Sequence, residues 1–300
     1  MDLRTLDFSS LQGAIQFDAP LASLSWFRVG GPADLLFTPE DEDDLIAFLK
    51  LLPNAVPIFV IGLGSNLLVR DGGIRGAVVR LGRAFQTIAL ESDHHIRAGA
   101  QAADVKVARV AAEAGVKGFS FLRGIPGTIG GALRMNGGAY GGETKDIFVS
   151  ARGIDREGRV HRFDHASMGF SYRHTSVASD IIFTEALFKG QLGDPAKILD
   201  EMNAITEARS STQPVNTRTG GSTFRNPEGK KAWELIDQAG LRGHRIGGAE
   251  ISKLHTNFLI AHDGATAADL EALGEEARRR VKEMTGITLE WEIKIVGEPA

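Results

Sequence analysis

The feature that most constrains this sequence is the clustering of its glycines. Of 300 residues, 36 are glycine, whereas glycine makes up about 7% of an average protein. Eight of them fall within residues 123–142, and a smaller cluster is Gly62-Leu63-Gly64. Glycine has no Cβ, so such loops let the backbone approach a ligand closely. They follow no three-residue repeat, which excludes a collagen-like chain and favours ligand-binding loops on a globular fold.

The rest of the composition is that of an ordinary globular protein. The length predicts two or three domains. A net charge of −4 provides no basic surface for nucleic acid or anionic lipid, so we expect a small-molecule partner. The absence of cysteine excludes disulfides, thiolate metal sites and a cysteinyl link to flavin. No apolar stretch approaches the about 20 residues of a membrane span and no signal pattern opens the chain, so we expect a soluble, cytoplasmic protein.

Local patterns predict an α+β fold with a domain boundary near residue 192. Short β-rich runs divided by glycine turns fill the first two-thirds of the chain, and helical patterns dominate the rest. Strands are expected at 33–39, 57–61, 67–70, 77–81, 84–91, 95–98, 147–155, 159–163, 181–189 and 287–296. Helices are expected at about 40–52, 103–114, 129–136 and 232–239, and from residues 194 and 266 onward.

The cluster Gly62-Leu63-Gly64-Ser65-Asn66 lies between two predicted strands. It resembles half of a dinucleotide fingerprint, but the third glycine is missing and Leu67–Arg70 suits a strand rather than a helix. A Rossmann site is therefore not expected. Consecutive N–H groups in such a turn can still hold a pyrophosphate as an anion nest. A plain tight turn is the alternative.

The second cluster, residues 123–142, holds too many glycines for packing alone. Pro126 stiffens it, and Thr128 is predicted to cap a short helix at Ile129–Asn136. The N–H groups at the start of this helix would then face an anion or the polar edge of a flavin ring. A long surface loop is the alternative.

Six motifs resemble, in order and spacing, the UDP-N-acetylenolpyruvoylglucosamine reductase family in its shorter form. They are Trp26–Ala33, Gly62–Val69, Gly124–Gly142, Ser171-Tyr172-Arg173, Gly221–Pro227 and Leu289–Gly297. The resemblance covers nearly the whole chain. It implies an FAD-binding fold of the vanillyl-alcohol-oxidase (PCMH) type over residues 1–192, with subdomains of about 1–82 and 83–192. A smaller α+β substrate-binding domain is implied over 193–300, with the C-terminal strand returning to the active site.

The resemblance also implies a reaction and the residues that perform it. The reaction is reduction of the enolpyruvyl group of UDP-N-acetylglucosamine enolpyruvate to UDP-N-acetylmuramate, for peptidoglycan synthesis. It would use NADPH and non-covalently bound FAD, and we expect a monomer. Arg173, Ser222 and Glu292 match the family's catalytic positions, and Glu292 is chosen over Glu290 because it keeps its register although Trp291 replaces the family's usual proline. The implied cofactor-binding residues are Arg28, Gly62, Gly64, Ser65, Asn66, Leu67, Gly124, Ile125, Pro126, Gly127, Thr128, Gly130, Gly131, Asn136 and Gly138. The implied substrate-binding residues are Tyr172, Arg225, Asn226, Lys253 and His255.

These residue types suit the chemistry. Arg173 can grip a carboxylate with two N–H donors and stabilise the negative charge that develops there. An enolate is a strong base, so Ser222 needs only correct placement to protonate it. Glu292 could orient the intermediate or, if protonated, donate a hydrogen bond to it. No histidines show convincing metal-ligand spacing, so no metal site is expected.

Two other functions fit parts of the sequence. A flavin-dependent lactone or hydroxy-acid oxidase of the same fold would share both glycine clusters but would have no reason to carry the motif at 221–227. A nucleotide-binding regulator would perform no chemistry. Absorbance at about 450 nm, where bound flavin absorbs, separates the two enzymes from the regulator.

Overall fold

A computed structural model of the chain describes residues 2–300, and these residues form two compact units. The first unit comprises the residues up to Phe17 together with Leu35–Gly62 and Gly76–Ala208. The second comprises Asp18–Asp34, Leu63–Arg75 and Arg209–Ala300. These units draw on separated stretches of chain, whereas the domains expected at 1–192 and 193–300 are continuous. The domain assignment stays a prediction.

Within the described residues the structure has eight α-helices, numbered in chain order. They are α1 Glu42–Leu51, α2 Asp104–Glu113, α3 Ile129–Met135, α4 Thr144–Ile147, α5 His165–Met168, α6 Pro195–Thr212, α7 Ala232–Gln238 and α8 Ala267–Thr285. Short 3₁₀ helices lie at Leu3–Thr5, Ala22–Leu24, Arg83–Gln86 and Ser120–Gly124. Of the helices in residues 2–300, none combines the length and apolar character needed to cross a membrane.

The same residues form eighteen strands, many of them short. They are β1 Ala14–Pro20, β2 Pro32–Thr38, β3 Ile58–Val60, β4 Leu67–Val69, β5 Ile74–Val79, β6 Ile88–Leu90, β7 His95–Gly99, β8 Val116–Lys117, β9 Gly138–Ala139, β10 Gly142–Glu143, β11 Phe148–Ile154, β12 Val160–Asp164, β13 Ile182–Lys189, β14 Gln191–Leu192, β15 Arg245–Ile246, β16 Ala249–Ile251, β17 Leu259–Ala261 and β18 Lys294–Val296.

The first unit is built around a five-stranded antiparallel sheet in the order β12-β11-β13-β7-β6. Helix α2 buries Val107 and Ala111 in the main core cluster of this unit, as its apolar stripe predicts. Gly115, with φ of 68°, follows the helix where a left-handed cap residue belongs. The strand expected at 84–91 is wrong in its first half, because Phe85 turns into the core from a 3₁₀ helix.

The second unit is organised by α8, whose apolar stripe is fully buried. Thr266 and Asp269 form the predicted capping box at the helix start. A three-stranded antiparallel sheet, β15-β16-β17, packs against this helix.

The end of the chain departs from the single strand expected at 287–296. Only β18 is regular, and it pairs in parallel with β4. Residues 290–292 instead form one isolated bridge, between Trp291 and Phe224. The alternation of side chains persists, with Leu289 and Ile293 buried and Glu290 exposed. The C-terminal segment therefore returns to the strand that follows the first glycine cluster.

Candidate active site

The turn at Gly62–Asn66 joins β3 to β4, so the strand predicted after it is confirmed and a Rossmann helix is excluded. Gly62 packs against the second glycine cluster in the first unit. A Cβ at Gly62 would lie 2.6 Å from Thr128 Oγ1. Gly64 adopts φ of 65°, where side chains are strained, and a Cβ there would lie 2.2 Å from Leu24 O. Gly64 is thus required by close backbone packing, whereas Gly62 leaves room for the Thr128 side chain.

This turn retains donors suited to an anion. In the part of the chain that the structure describes, the N–H groups of Leu63, Gly64 and Ser65 donate to no protein acceptor. Successive unused N–H groups in a left-handed turn form a nest for phosphate oxygens. The observation fits the pyrophosphate of a dinucleotide cofactor.

The glycines of the second cluster serve two purposes. Gly127 and Gly130 allow close packing in the first unit, because a Cβ would lie 2.8 Å from Asp104 Oδ2 and 3.2 Å from Ala100 O, respectively. Gly131 is exposed, and a Cβ there would meet only Thr128 Oγ1, at 3.8 Å. Gly131 therefore leaves open space for a ligand, whereas Gly127 and Gly130 are required for close packing of the protein.

The start of α3 corrects one expectation. Thr128 occupies the N-cap position, but its side chain makes no capping hydrogen bond. The N–H groups of Ile129 and Gly130 donate to the carbonyls of Ala102 and Ala100, at 3.0 and 2.8 Å. The helix end therefore presents fewer free donors than predicted, because the backbone of the preceding segment satisfies them.

Arg173 lies at the tip of a two-residue turn in the first unit. Ser171 and His174 close the turn with reciprocal backbone hydrogen bonds of 3.1 and 3.2 Å, and Arg173 adopts φ of 54°. Its guanidinium donates to Gly138 O at 2.9 Å and lies 5.0 Å from the centre of the Tyr172 ring. The structure thus joins Arg173 to Gly138 of the second glycine cluster.

Ser222 and Glu292 belong to neighbouring extended segments of the second unit. The N–H of Glu292 donates to Thr223 O at 2.8 Å, and the N–H of Arg225 donates to Glu290 O at 2.9 Å. On the other side, Ser222 forms a bridge with Phe258. Two residues far apart in sequence are therefore held on adjacent extended segments.

Asn66 connects this pair to the first glycine turn. Its Nδ2 donates to Glu292 O at 3.1 Å, and its backbone carbonyl accepts from the N–H of Lys294 at 3.1 Å. The anion nest, the Glu292 segment and the Ser222 segment are therefore consecutive, hydrogen-bonded neighbours.

Other predicted residues of the second unit occupy varied positions. The buried Nε of Arg225 has no hydrogen-bond partner among the described residues, which suits a site for an anionic ligand. Asn226 Oδ1 accepts from the N–H of Ala232 at the start of α7, so part of its amide is used within the protein. Lys253 is exposed, while His255 is half-buried and burial lowers the pKa of its imidazole. Arg28 is exposed with φ of 60°.

Two polar residues that sequence patterns did not single out support these loops. Asp104 is completely buried beside Gly127, and burial raises the pKa of its carboxyl well above the usual range. Asn257 uses its amide to bond both backbone groups of Phe224, at 3.0 and 2.8 Å. Acidic residues are common in the first turn of a helix, as Asp104 is, and asparagines such as Asn257 are common in loops. Only their burial in the structure therefore distinguishes these two residues.

Family models match both parts of the chain. Residues 33–164 match a model described as an FAD binding domain, and residues 213–296 match one described as the C-terminal domain of UDP-N-acetylenolpyruvoylglucosamine reductase.

Close relatives and one solved structure carry the same name. The enzyme of that name from Azorhizobium caulinodans is 59% identical over 97% of this chain and 94% of its own, and that from Parvibaculum lavamentivorans is 58% identical over 96% and 92%. The crystal structure of the Thermus caldophilus enzyme superposes with a TM-score of 0.82 at 33% identity, covering 95% of this chain and 99% of its own. A 6-hydroxy-D-nicotine oxidase from Arthrobacter nicotinovorans shares the fold, with a TM-score of 0.60 at 12% identity over 93% and 88%.

Proposed function

Because the chain belongs to the UDP-N-acetylenolpyruvoylglucosamine reductase family, we propose that Arg173, Ser222 and Glu292 perform its reaction. The chain is an FAD-dependent oxidoreductase with the FAD-binding fold of the vanillyl-alcohol-oxidase type. It uses NADPH to reduce the enolpyruvyl group of a UDP-sugar in peptidoglycan precursor synthesis.

Hydrogen bonds between segments of the second unit support the roles proposed for Ser222 and Glu292. Asn66, Glu292 and Thr223 lie in a chain of backbone-linked segments, with Ser222 directly beside Thr223. This arrangement supports a site in which the anion nest, a carboxyl group and a hydroxyl group face one ligand.

The cofactor supplies hydride, which no side chain can provide. The nest at Leu63–Ser65 would hold the phosphates of FAD, and Gly131 of the second glycine cluster stays a predicted cofactor contact. The packed glycines Gly62, Gly127 and Gly130 would hold these loops together rather than contact the ring system. Arg28 and the remaining predicted contacts stay predictions.

Arg173 would bind the carboxylate of the enolpyruvyl group. Addition of hydride to the terminal vinyl carbon moves an electron pair onto the neighbouring carbon and its carboxylate. The positive charge of the guanidinium stabilises this enolate. The hydrogen bond from Arg173 to Gly138 O limits the orientations available to the guanidinium.

Ser222 would then protonate the enolate carbon. The O–H bond breaks, a C–H bond forms and the serine alkoxide recovers a proton from solvent. Glu292 would contact the same intermediate, either orienting it or, when protonated, donating a hydrogen bond. The fixed backbone of both residues provides the placement that this transfer requires.

The substrate's nucleotide would be bound by Arg225 and Asn226, with Tyr172, Lys253 and His255 as further contacts. The unpaired Nε of Arg225 supports an anionic partner there. We further propose that the chain acts as a monomer in the cytoplasm, where its nucleotide-sugar substrate and NADPH are available.

Stopped-flow measurement of the two half-reactions tests the assignment. Ser222→Ala should leave reduction of bound flavin by NADPH nearly unchanged, and should slow reoxidation by the UDP-enolpyruvyl sugar about 10²–10⁴-fold. Ser222→Cys keeps a proton donor at this position and should retain more of the second rate. Equal slowing of both half-reactions by Ser222→Ala would exclude Ser222 as the proton donor. Failure of the sugar to accelerate NADPH oxidation by the unmodified protein would exclude the whole function.

A further inference from the structure

Asn136 joins the second glycine cluster to the Arg173 turn within the first unit. It follows α3 with φ of 41°, and its side chain is fully buried. Its Nδ2 donates to Ser171 O at 3.0 Å and to Glu143 Oε2 at 3.2 Å, and its Oδ1 accepts from the N–H of Lys145 at 3.0 Å. A side-chain amide has two donor hydrogens, and both are used here.

These bonds assign the amide to the protein rather than to a cofactor. The sequence predicted Asn136 as a cofactor-binding residue, and its position in the loop is close to the other predicted contacts. Its buried amide instead bridges three segments of chain. The side chain therefore has a structural task that the motif alone does not explain.

The bridged segments are those that hold Arg173. Ser171, whose carbonyl accepts from Asn136, opens the two-residue turn that carries Arg173. Gly138, whose carbonyl accepts from the guanidinium, lies two residues after Asn136. A Cβ at Gly138 would lie 3.2 Å from an Arg173 guanidinium nitrogen, so the loop and the guanidinium are in close contact. The Asn136 amide thus links Ser171, at the base of the turn, to the loop whose Gly138 carbonyl accepts from Arg173 at the tip.

We propose that Asn136 is a positioning residue for Arg173, holding its guanidinium in the orientation that receives the substrate carboxylate. The inference rests on the catalytic role proposed for Arg173. A guanidinium forms two parallel bonds with a carboxylate only within a narrow range of orientations. A small displacement therefore lowers the rate of the step that develops charge on the substrate.

Asn136→Gly removes the amide while favouring the same left-handed backbone. In stopped-flow experiments on the FAD-loaded protein, reoxidation of flavin by the UDP-enolpyruvyl sugar should slow about 10–100-fold. Reduction by NADPH should stay within about twofold of the unmodified rate, because Arg173 meets no developing substrate charge in that step. Calorimetric titration of the oxidised protein should show weaker binding of the sugar.

A double-mutant cycle separates positioning from general loosening of the loop. In an Arg173→Ala background, Asn136→Gly should have little further effect on reoxidation, because the residue through which it acts is gone. Thr144→Val is the matched control: it deletes another buried hydrogen bond of this loop, from Thr144 Oγ1 to Gly137 O at 2.9 Å, and should not alter the ratio of the two half-reaction rates.

Two results would overturn the inference. One is the same slowing factor for Asn136→Gly with and without Arg173. The other is equal slowing of both half-reactions, which would indicate a role toward flavin. If Arg173→Ala itself leaves reoxidation unchanged, the proposed role of Arg173 fails and the inference fails with it. The first two results leave that role intact.

Discussion

Gly274 lies in the middle of α8, where glycine normally weakens a helix, and Trp291 accounts for its presence. A Cβ at Gly274 would lie 2.0 Å from Trp291 Cη2 and 2.4 Å from Cζ2. The indole has little freedom to retreat, because its N–H donates to Glu275 Oε1 at 2.7 Å and its ring packs 4.9 Å from that of Phe224. Gly274→Ala should therefore force the indole against its neighbours.

The expected change in the free energy of unfolding of Gly274→Ala is the difference between a gain in helix propensity and a cost of overpacking. Alanine gains about 1 kcal/mol over glycine in a helix interior, and overpacking a core costs about 1–3 kcal/mol. Contacts this short place the cost at the upper end, so we expect the free energy of unfolding to fall by about 2 kcal/mol. For a chain of 300 residues the melting temperature would fall by about 3 °C.

The reaction should respond as well, because Trp291 directly precedes Glu292. Displacing the indole strains the bridge between Trp291 and Phe224 that holds the Glu292 segment beside Ser222. Flavin reoxidation by the sugar should slow more than flavin reduction by NADPH. Stopped-flow absorbance and denaturant unfolding of the FAD-loaded protein measure the two effects.

Trp291→Ala provides the decisive background because it removes the ring that the added methyl group at position 274 would meet. There, Gly274→Ala should change sign and stabilise the helix by about 1 kcal/mol. Destabilisation of similar size in both backgrounds would refute the steric argument. So would a Gly274→Ala variant that is as stable as the unmodified protein.

Three further predictions concern polar side chains that bond to or lie within the core. Burial raises the pKa of Asp104 in the folded protein above its value in the unfolded chain, so between these two pKa values the folded state binds more protons than the unfolded state. The free energy of unfolding should therefore fall by up to about 1.4 kcal/mol per pH unit as pH rises through that window. Asp104→Asn should flatten this fall in urea unfolding at several pH values; an unchanged slope would contradict it. Asn257→Ala leaves both backbone groups of Phe224 unpaired and should cost about 2–4 kcal/mol, with slower reaction at Ser222. Asp71→Ala removes the acceptor of two N–H groups at the start of α8, both at 2.9 Å, and should lower the free energy of unfolding by about 1 kcal/mol without altering either half-reaction.

The sequence by itself determined the features that depend on neighbouring residues. The stripe of α8 and its capping box at Thr266 and Asp269 follow a 3.6-residue period and a fixed spacing, so they were predicted and are confirmed. The strand after Gly62–Asn66 was predicted from composition, and it excluded a Rossmann site. The ordered motifs likewise identified the family, because their order and spacing are properties of the sequence alone.

Only the tertiary structure decided how distant segments use these residues. Sequence could not distinguish Gly62 and Gly127, which are needed for packing, from Gly131, which remains open, because the difference lies in residues remote along the chain. The strand expected at 287–296 is interrupted because residues 290–292 pair with Thr223–Arg225 instead of extending β18. Asn136 and Trp291 belong to two of the family motifs, but their structural roles depend on partners that are remote in sequence. Asn136 bonds to Ser171, and Trp291 packs against Gly274. Local patterns encode helices and turns, whereas burial and long-range hydrogen bonds exist only once the chain has folded.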